Sequence, residues 1–116
     1  MAVRMFELPS CTSCRNAAAW LARRGIACEK RHVWNQRPTR QELADIASRH
    51  PGGAQALLSC RSIRFKELGL SGRTFTDEAL LDLLSEEPRL LRRPIISDGH
   101  GVVIGFDRRS LEGMFG

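Results

Sequence analysis

The chain has 116 residues, of which 42% are hydrophobic and 27% charged, with a formal net charge of +5. That length suits one domain with an adequate core, and the even spread of apolar residues excludes a disordered chain. No apolar run approaches the roughly 18–20 residues of a membrane helix, and Met1-Ala2-Val3-Arg4 opens no signal peptide, so a cytoplasmic protein is expected.

Residues 2–7 alternate in polarity and predict a strand, which Pro9 and Ser10 interrupt. A helix is predicted from Cys11 or Thr12 to Arg24. Its apolar positions Cys14, Ala17, Ala18 and Leu21 recur at helical spacing, and Gly25 supplies the stop. Residues 26–33 predict a second strand. Thr39 and Glu42 form a capping-box pattern for a helix through Leu43 and Ile46, ended by Pro51-Gly52-Gly53. Residues 54–59 and 62–68 suggest two short helices. Thr76 caps another, through Leu80 and Leu84, which Pro88 ends. Residues 94–97 and 102–106 predict a hairpin around Asp98-Gly99, and Asp107 caps a last helix through Leu111 and Phe115.

Strand–helix–strand favours a parallel pair, and the hairpin adds antiparallel strands. The expected fold is α/β: a small mixed sheet with helices on both faces. Residues 1–116 make one domain, with a core of about 1–34 and 89–116 and a helical insertion of about 35–88.

The basic excess lies in the first half, where residues 1–58 hold nine Lys and Arg against four Asp and Glu. A weak positive field suits an acidic partner or an anion. No dense basic cluster with interleaved aromatics occurs, so there is no strong nucleic-acid signal.

The chemistry concentrates in Cys11-Thr12-Ser13-Cys14, placed where a strand feeds a helix. The first helical turn offers free N–H groups and the positive end of the dipole, which stabilise a thiolate. Cys11 is therefore the candidate reactive thiol. Cys14, one turn on, is the candidate resolver of a sulfenic acid or mixed disulfide at Cys11. The competing readings are a zinc half-site and inert buried cysteines. Zinc needs further ligands at recognisable spacing, and Cys28, Cys60, His32, His50 and His100 form no second pair. No metal or organic cofactor is expected. Cys28 is read as a small buried hydrophobe, Cys60 as structural, and Trp20 and Trp34 as packing residues. Asp77, Glu78, Asp82, Glu86 and Glu87 make a solvated helix face, and Arg92 faces solvent.

Cys11-Thr12-Ser13-Cys14-Arg15 with Ala18-Ala19-Trp20-Leu21, Arg61-Ser62 with Phe65 and Leu68, and Leu90-Leu91-Arg92-Arg93-Pro94-Ile95-Ile96 with Asp98 and Gly105 stand in a fixed order. This ordered set resembles the ArsC (arsenate reductase-like) family, and within it the Spx-type redox-responsive transcription regulators, over about residues 3–115. The resemblance implies a thioredoxin-like fold with a helical insertion and a cis Arg93–Pro94 bond beside the cysteine loop. It implies that Arg93, Arg61 and Arg15 stabilise an anion or thiolate. It also implies that a Cys11–Cys14 switch governs work with RNA polymerase. The contact is with the C-terminal domain of the polymerase α chain, through a surface that includes Gly53. Two alternatives from the same fold remain: an arsenate reductase, and a glutathione/glutaredoxin- or thioredoxin-linked thiol reductase. The position of a third oxyanion-binding arginine is occupied by Phe106, and Cys14 stands where those enzymes carry serine. Both departures rank the regulator ahead of an enzyme.

Overall fold

The computed structural model describes residues 2–116 and divides them into two compact units, one of residues 2–37 with 93–116, the other of residues 38–92. The first unit carries a four-stranded sheet. Strand β1 (Val3–Glu7) leads into helix α1 (Thr12–Arg23) and strand β2 (Cys28–His32). After the second unit come β3 (Ile95–Ser97), β4 (Val102–Ile104) and a terminal helix (Arg108–Phe115). The sheet order is β2-β1-β3-β4; β1 and β2 run parallel, and the other two pairings are antiparallel. The parallel pair needs a crossover, which α1 provides. This is the thioredoxin-like α/β arrangement.

Alternation along β1 sets what lies on each face. Val3 and Met5 join Ile96 and Val103 on the face that receives Ala17, Trp20 and Leu21 of α1 and Leu111 of the terminal helix. Both helices of this unit thus share one side of the sheet. Phe6, Ile95 and Ile104 are buried as well. A fully buried Leu contributes roughly 1.5–3 kcal/mol, so Leu21 and Leu111 fix how the helices sit. Trp20 meets Phe115 with ring centroids 6.2 Å apart, and the Arg24 guanidinium covers the Trp20 ring at 4.4 Å.

The helix ends follow local chemistry. At the C-terminus of α1, Gly25 takes φ +69°, its N–H bonds to Ala22 O, and Ile26 N–H returns to Leu21 O at 3.0 Å. This is a Schellman closure, in which Ile26 packs into the core that holds Leu21. The Asp107 carboxylate accepts the Ser110 N–H and caps the terminal helix. The hairpin turn is wider than two residues. Asp98 accepts the N–H groups of both His100 and Gly101 at 2.8 Å, which holds its carboxyl below the usual carboxylate range.

The second unit contains α2 (Arg40–Arg49), a 3-10 turn (Gly53–Leu57), α3 (Ile63–Glu67), α4 (Asp77–Glu86) and a short 3-10 turn (Pro88–Leu90), which makes the last helix of the chain α5. The capping box is complete: Glu42 N–H donates to Thr39 Oγ1 at 3.1 Å, and Thr39 N–H to Glu42 Oε1 at 2.9 Å. Leu43, Ile46, Leu57, Leu80, Leu84, Leu90 and Leu91 are buried in this unit. Arg40 of α2 pairs with Glu78 and Asp82 of α4, and Arg64 with Glu87 at 2.7 Å. The acidic face of α4 is therefore partly engaged with Arg40 rather than wholly solvated. No helix among the described residues is long and apolar enough to cross a membrane.

Candidate functional site

Cys11 is the residue from which α1 starts. Its backbone is extended (φ −82°, ψ 124°), its N–H donates to Leu8 O at 2.9 Å, and its carbonyl accepts the Arg15 N–H at 3.0 Å. Helix starts ordinarily use a Ser, Thr, Asp or Asn oxygen to receive the free N–H groups of the first turn. Here the residue at that position carries a thiol. Burial alone would raise the Cys11 pKa. The Cys14 N–H, the Cys14 thiol, the Arg93 guanidinium and the Ser13 N–H together outweigh burial and hold it below the ordinary thiol value. Cys11 makes no side-chain hydrogen bond that caps α1, but its sulfur stands at the positive end of the helix, where a negative charge is favoured.

Cys14 is fully buried on the core side of α1. Burial pushes its pKa up to about 12, and the neighbouring Cys11 adds to the rise. The Leu8 N–H, 3.4 Å from the Cys14 sulfur, works in the opposite direction without overcoming it. Both cysteines are free thiols.

Arg93 immediately precedes β3, and its peptide bond to Pro94 is cis. The Gly105 N–H donates to Pro94 O at 2.7 Å and ties this segment to the end of β4. Arg92 is exposed, while Arg93 is half-buried beside Cys11. The Arg93 guanidinium carbon lies 5.8 Å from the centre of the Trp34 ring, and its buried Nε has no hydrogen-bond partner. Trp34 sits in the turn after β2. There His32 Nδ1 accepts the backbone N–H groups of Trp34 (3.2 Å) and Asn35 (3.1 Å). Trp34, read in the sequence as a packing residue, packs against the Arg93 guanidinium. That contact joins residues far apart in the chain, and no local pattern signals it.

Arg15 is turned to the loop rather than to the sulfur. Its guanidinium donates to the carbonyls of Pro9 and Ser10 and to Thr12 Oγ1, at 3.3–3.4 Å. It braces the turn that presents Cys11. Phe106 packs against the sheet core. Cys28 is half-buried against the same core, and burial raises its pKa.

In the second unit, Arg61 is exposed on the approach to α3. Its neighbour Cys60 is exposed too, rather than packed as its structural reading implied. The ladder contact between Leu58 and Leu91 ends before it, and the Ser62 cap begins after it. Gly53 opens the 3-10 turn at φ +60°, with its N–H on His50 O at 3.0 Å. Among the described residues no three His, Cys, Asp or Glu side chains converge as metal ligands.

The ArsC family model matches residues 6–114, and the chain belongs to the ArsC family. It is 42% identical to regulatory protein MgsR of Bacillus subtilis over 88% of this chain and 81% of that one. It is 38% identical to the global transcriptional regulator Spx of Streptococcus agalactiae, over 90% of this chain and 77% of the other. The fold superimposes on a crystal structure of an ArsC family related protein from Bacteroides fragilis with a TM-score of 0.92, at 26% identity, covering 98% of each chain.

Proposed function

We propose that this ArsC family member is a cytoplasmic, redox-responsive regulator of the Spx type, switched by a Cys11–Cys14 disulfide. The observation that carries the reading is the contrast between the two thiols. Cys11 is partly exposed at the head of α1 with its pKa below the ordinary thiol value, while Cys14 is buried one turn behind it with its pKa raised. A hydroperoxide is the co-reactant. The Cys11 thiolate attacks its terminal oxygen, the O–O bond breaks, and with a proton a molecule of water (or alcohol) leaves. Cys11 is then a sulfenic acid, oxidised by two electrons. The Cys14 sulfur attacks the Cys11 sulfur; the S–S bond forms, the S–O bond breaks, and the hydroxyl leaves as water with the Cys14 proton. Ionisation of Cys14 becomes easier at this step, because the negative charge on Cys11 that opposed it has gone. A dithiol of the thioredoxin class, or glutathione with glutaredoxin, returns two electrons and two protons.

The partner proposed for the switch is RNA polymerase, through the C-terminal domain of its α chain, with the Gly53 turn in the contact surface. The names of the relatives, regulatory protein MgsR and global transcriptional regulator Spx, support a role in transcription; the α-chain contact and the Gly53 turn are what the family resemblance implies. One observation favours a second reading, an arsenate-reductase-type enzyme: the buried, unpaired Nε of Arg93 beside Cys11 suits an arginine that holds an oxyanion. Phe106, packed in the core where a third arginine is expected, weighs against it. The deciding experiment captures the reduced and oxidised protein on the immobilised α C-terminal domain and, in parallel, assays arsenate reduction with glutathione/glutaredoxin and with thioredoxin. Binding that changes with oxidation, without turnover, is expected. Robust turnover without binding replaces the regulator by the reductase.

A further inference from the structure

We propose that Trp34 is a positioning residue that holds the Arg93 guanidinium at the Cys11 sulfur. The proposal deepens the switch reading and rests on it. Arg93 is half-buried, makes no ion pair with a carboxylate among the described residues, and has a buried Nε without a hydrogen-bond partner. A guanidinium in that state lacks the paired acceptors that ordinarily fix its orientation. Beside it lie the Trp34 ring, 5.8 Å from the guanidinium carbon, and the Cys11 sulfur. Indole offers the strongest ring face for a cation, and desolvation strengthens the attraction. Trp34 is itself held in place. The His32 imidazole lies 6.4 Å from the indole, centre to centre, and its Nδ1 receives the Trp34 N–H. A line of contacts therefore runs from the end of β2, through an indole and a guanidinium, to the thiolate at the head of α1.

The consequence is electrostatic. With Arg93 fixed, its charge favours the thiolate; with the ring removed, the guanidinium is free to turn into solvent and the thiolate loses that support. The titratable and charged groups that face this line are Cys14 from α1 and Arg93 at the sulfur, His32 at the ring, and Arg15 on the loop carbonyls.

The test measures the pH dependence of iodoacetamide alkylation of Cys11, with mass mapping, in the full chain carrying Cys14→Ser. Trp34→Leu is expected to slow alkylation about threefold at fixed pH below the Cys11 pKa, the factor matching a surface cation–π contact of roughly 0.5–1 kcal/mol. Trp34→Phe keeps a ring face and is expected to stay within about twofold of the parent. In an Arg93→Ala background the Trp34→Leu effect should vanish, because no cation is left to position. Should Trp34→Leu fail to fold by circular dichroism, Trp34→Met keeps the apolar bulk without the ring and serves instead. An unchanged profile in the folded ringless variant overturns the proposal, as does the same slowing without Arg93. Peroxide-driven disulfide formation is followed separately in the protein with both cysteines. Its failure removes the switch while leaving the Trp34 result readable.

Discussion

The Cys14 thiol is buried one helical turn behind the Cys11 sulfur, and the two depart from the ordinary cysteine pKa in opposite directions. Cys11 ends the loop at the positive end of α1, beside the Arg93 guanidinium. Cys14 faces the core and loses water. The three-residue spacing at the start of α1, with the Arg93 guanidinium beside the first cysteine, creates this asymmetry.

The asymmetry has a signature in stability at alkaline pH. In the folded chain Cys14 holds its proton to about pH 12, whereas in the unfolded chain it ionises near the ordinary value of about 8.5. Between those limits the folded state binds more protons, so stability falls as pH rises. Cys11 acts in the opposite sense: its folded pKa is lowered, so its contribution is present above the unfolded pKa and is lost as pH falls through the folded one. Cys14 is the more strongly displaced. Urea unfolding at about pH 8 and about pH 10.5 under reducing conditions should show lower stability at the higher pH, and Cys14→Ser should reduce that difference.

His32 anchors the turn that carries Trp34 by accepting two backbone N–H groups at Nδ1. An asparagine Oδ1 sits at a similar reach and accepts the same groups. His32→Asn should therefore preserve Cys11 alkylation kinetics, and His32→Leu should slow them toward the Trp34→Leu rate. Equal slowing in both variants would show that the imidazole acts other than as an acceptor.

Gly53 is glycine for a backbone reason. At φ +60° an L side chain costs about 1–2 kcal/mol, and a Cβ would stand 3.4 Å from Asp77 Oδ2. Gly53→Ala should lower the melting temperature by several degrees, and Gly53→Asn by less. Any loss of polymerase binding in Gly53→Arg must therefore be compared with Gly53→Ala at a temperature where both are folded. Loss in the arginine variant alone places Gly53 in the contact surface.

Asp98 organises the β3–β4 turn as a carboxylate, accepting from His100 and Gly101. Its folded pKa is lowered, so its contribution is present above the unfolded value of about 3.9 and is lost as pH falls through the folded one. Asp98→Asn should flatten the acid limb of the stability–pH curve below about pH 4, measured by urea unfolding.

Much of this was legible in the sequence because it is local. The Thr39–Glu42 capping box, the Gly25 stop and the Asp107 cap each rest on residues close together in the chain, and each is present. Arg92 is exposed and Arg93 half-buried, although neither lies in a strand, since β3 begins at Ile95. The ordered blocks around Cys11, Arg61 and Arg93 carried the family. Three features escaped. Trp34 meets Arg93 only because the turn after β2 and the start of β3 come together in the folded unit. Arg15 finds carbonyls of the loop before it, which its charge alone does not distinguish from an anion. Placing both helices of the sheet unit on one face depends on the crossover path, which residue pattern does not determine.

The central claim is that Cys11 and Cys14 form the regulatory disulfide. The most direct measurement exposes the reduced protein to about one equivalent of hydrogen peroxide, blocks remaining thiols with iodoacetamide, and maps the peptides by mass spectrometry. The expected main product is an intramolecular Cys11–Cys14 disulfide, with Cys28 and Cys60 alkylated and full reversal by dithiothreitol. A main product that joins Cys11 to Cys28 or Cys60, or a Cys11 sulfenic acid that persists while Cys14 remains a thiol, would contradict it.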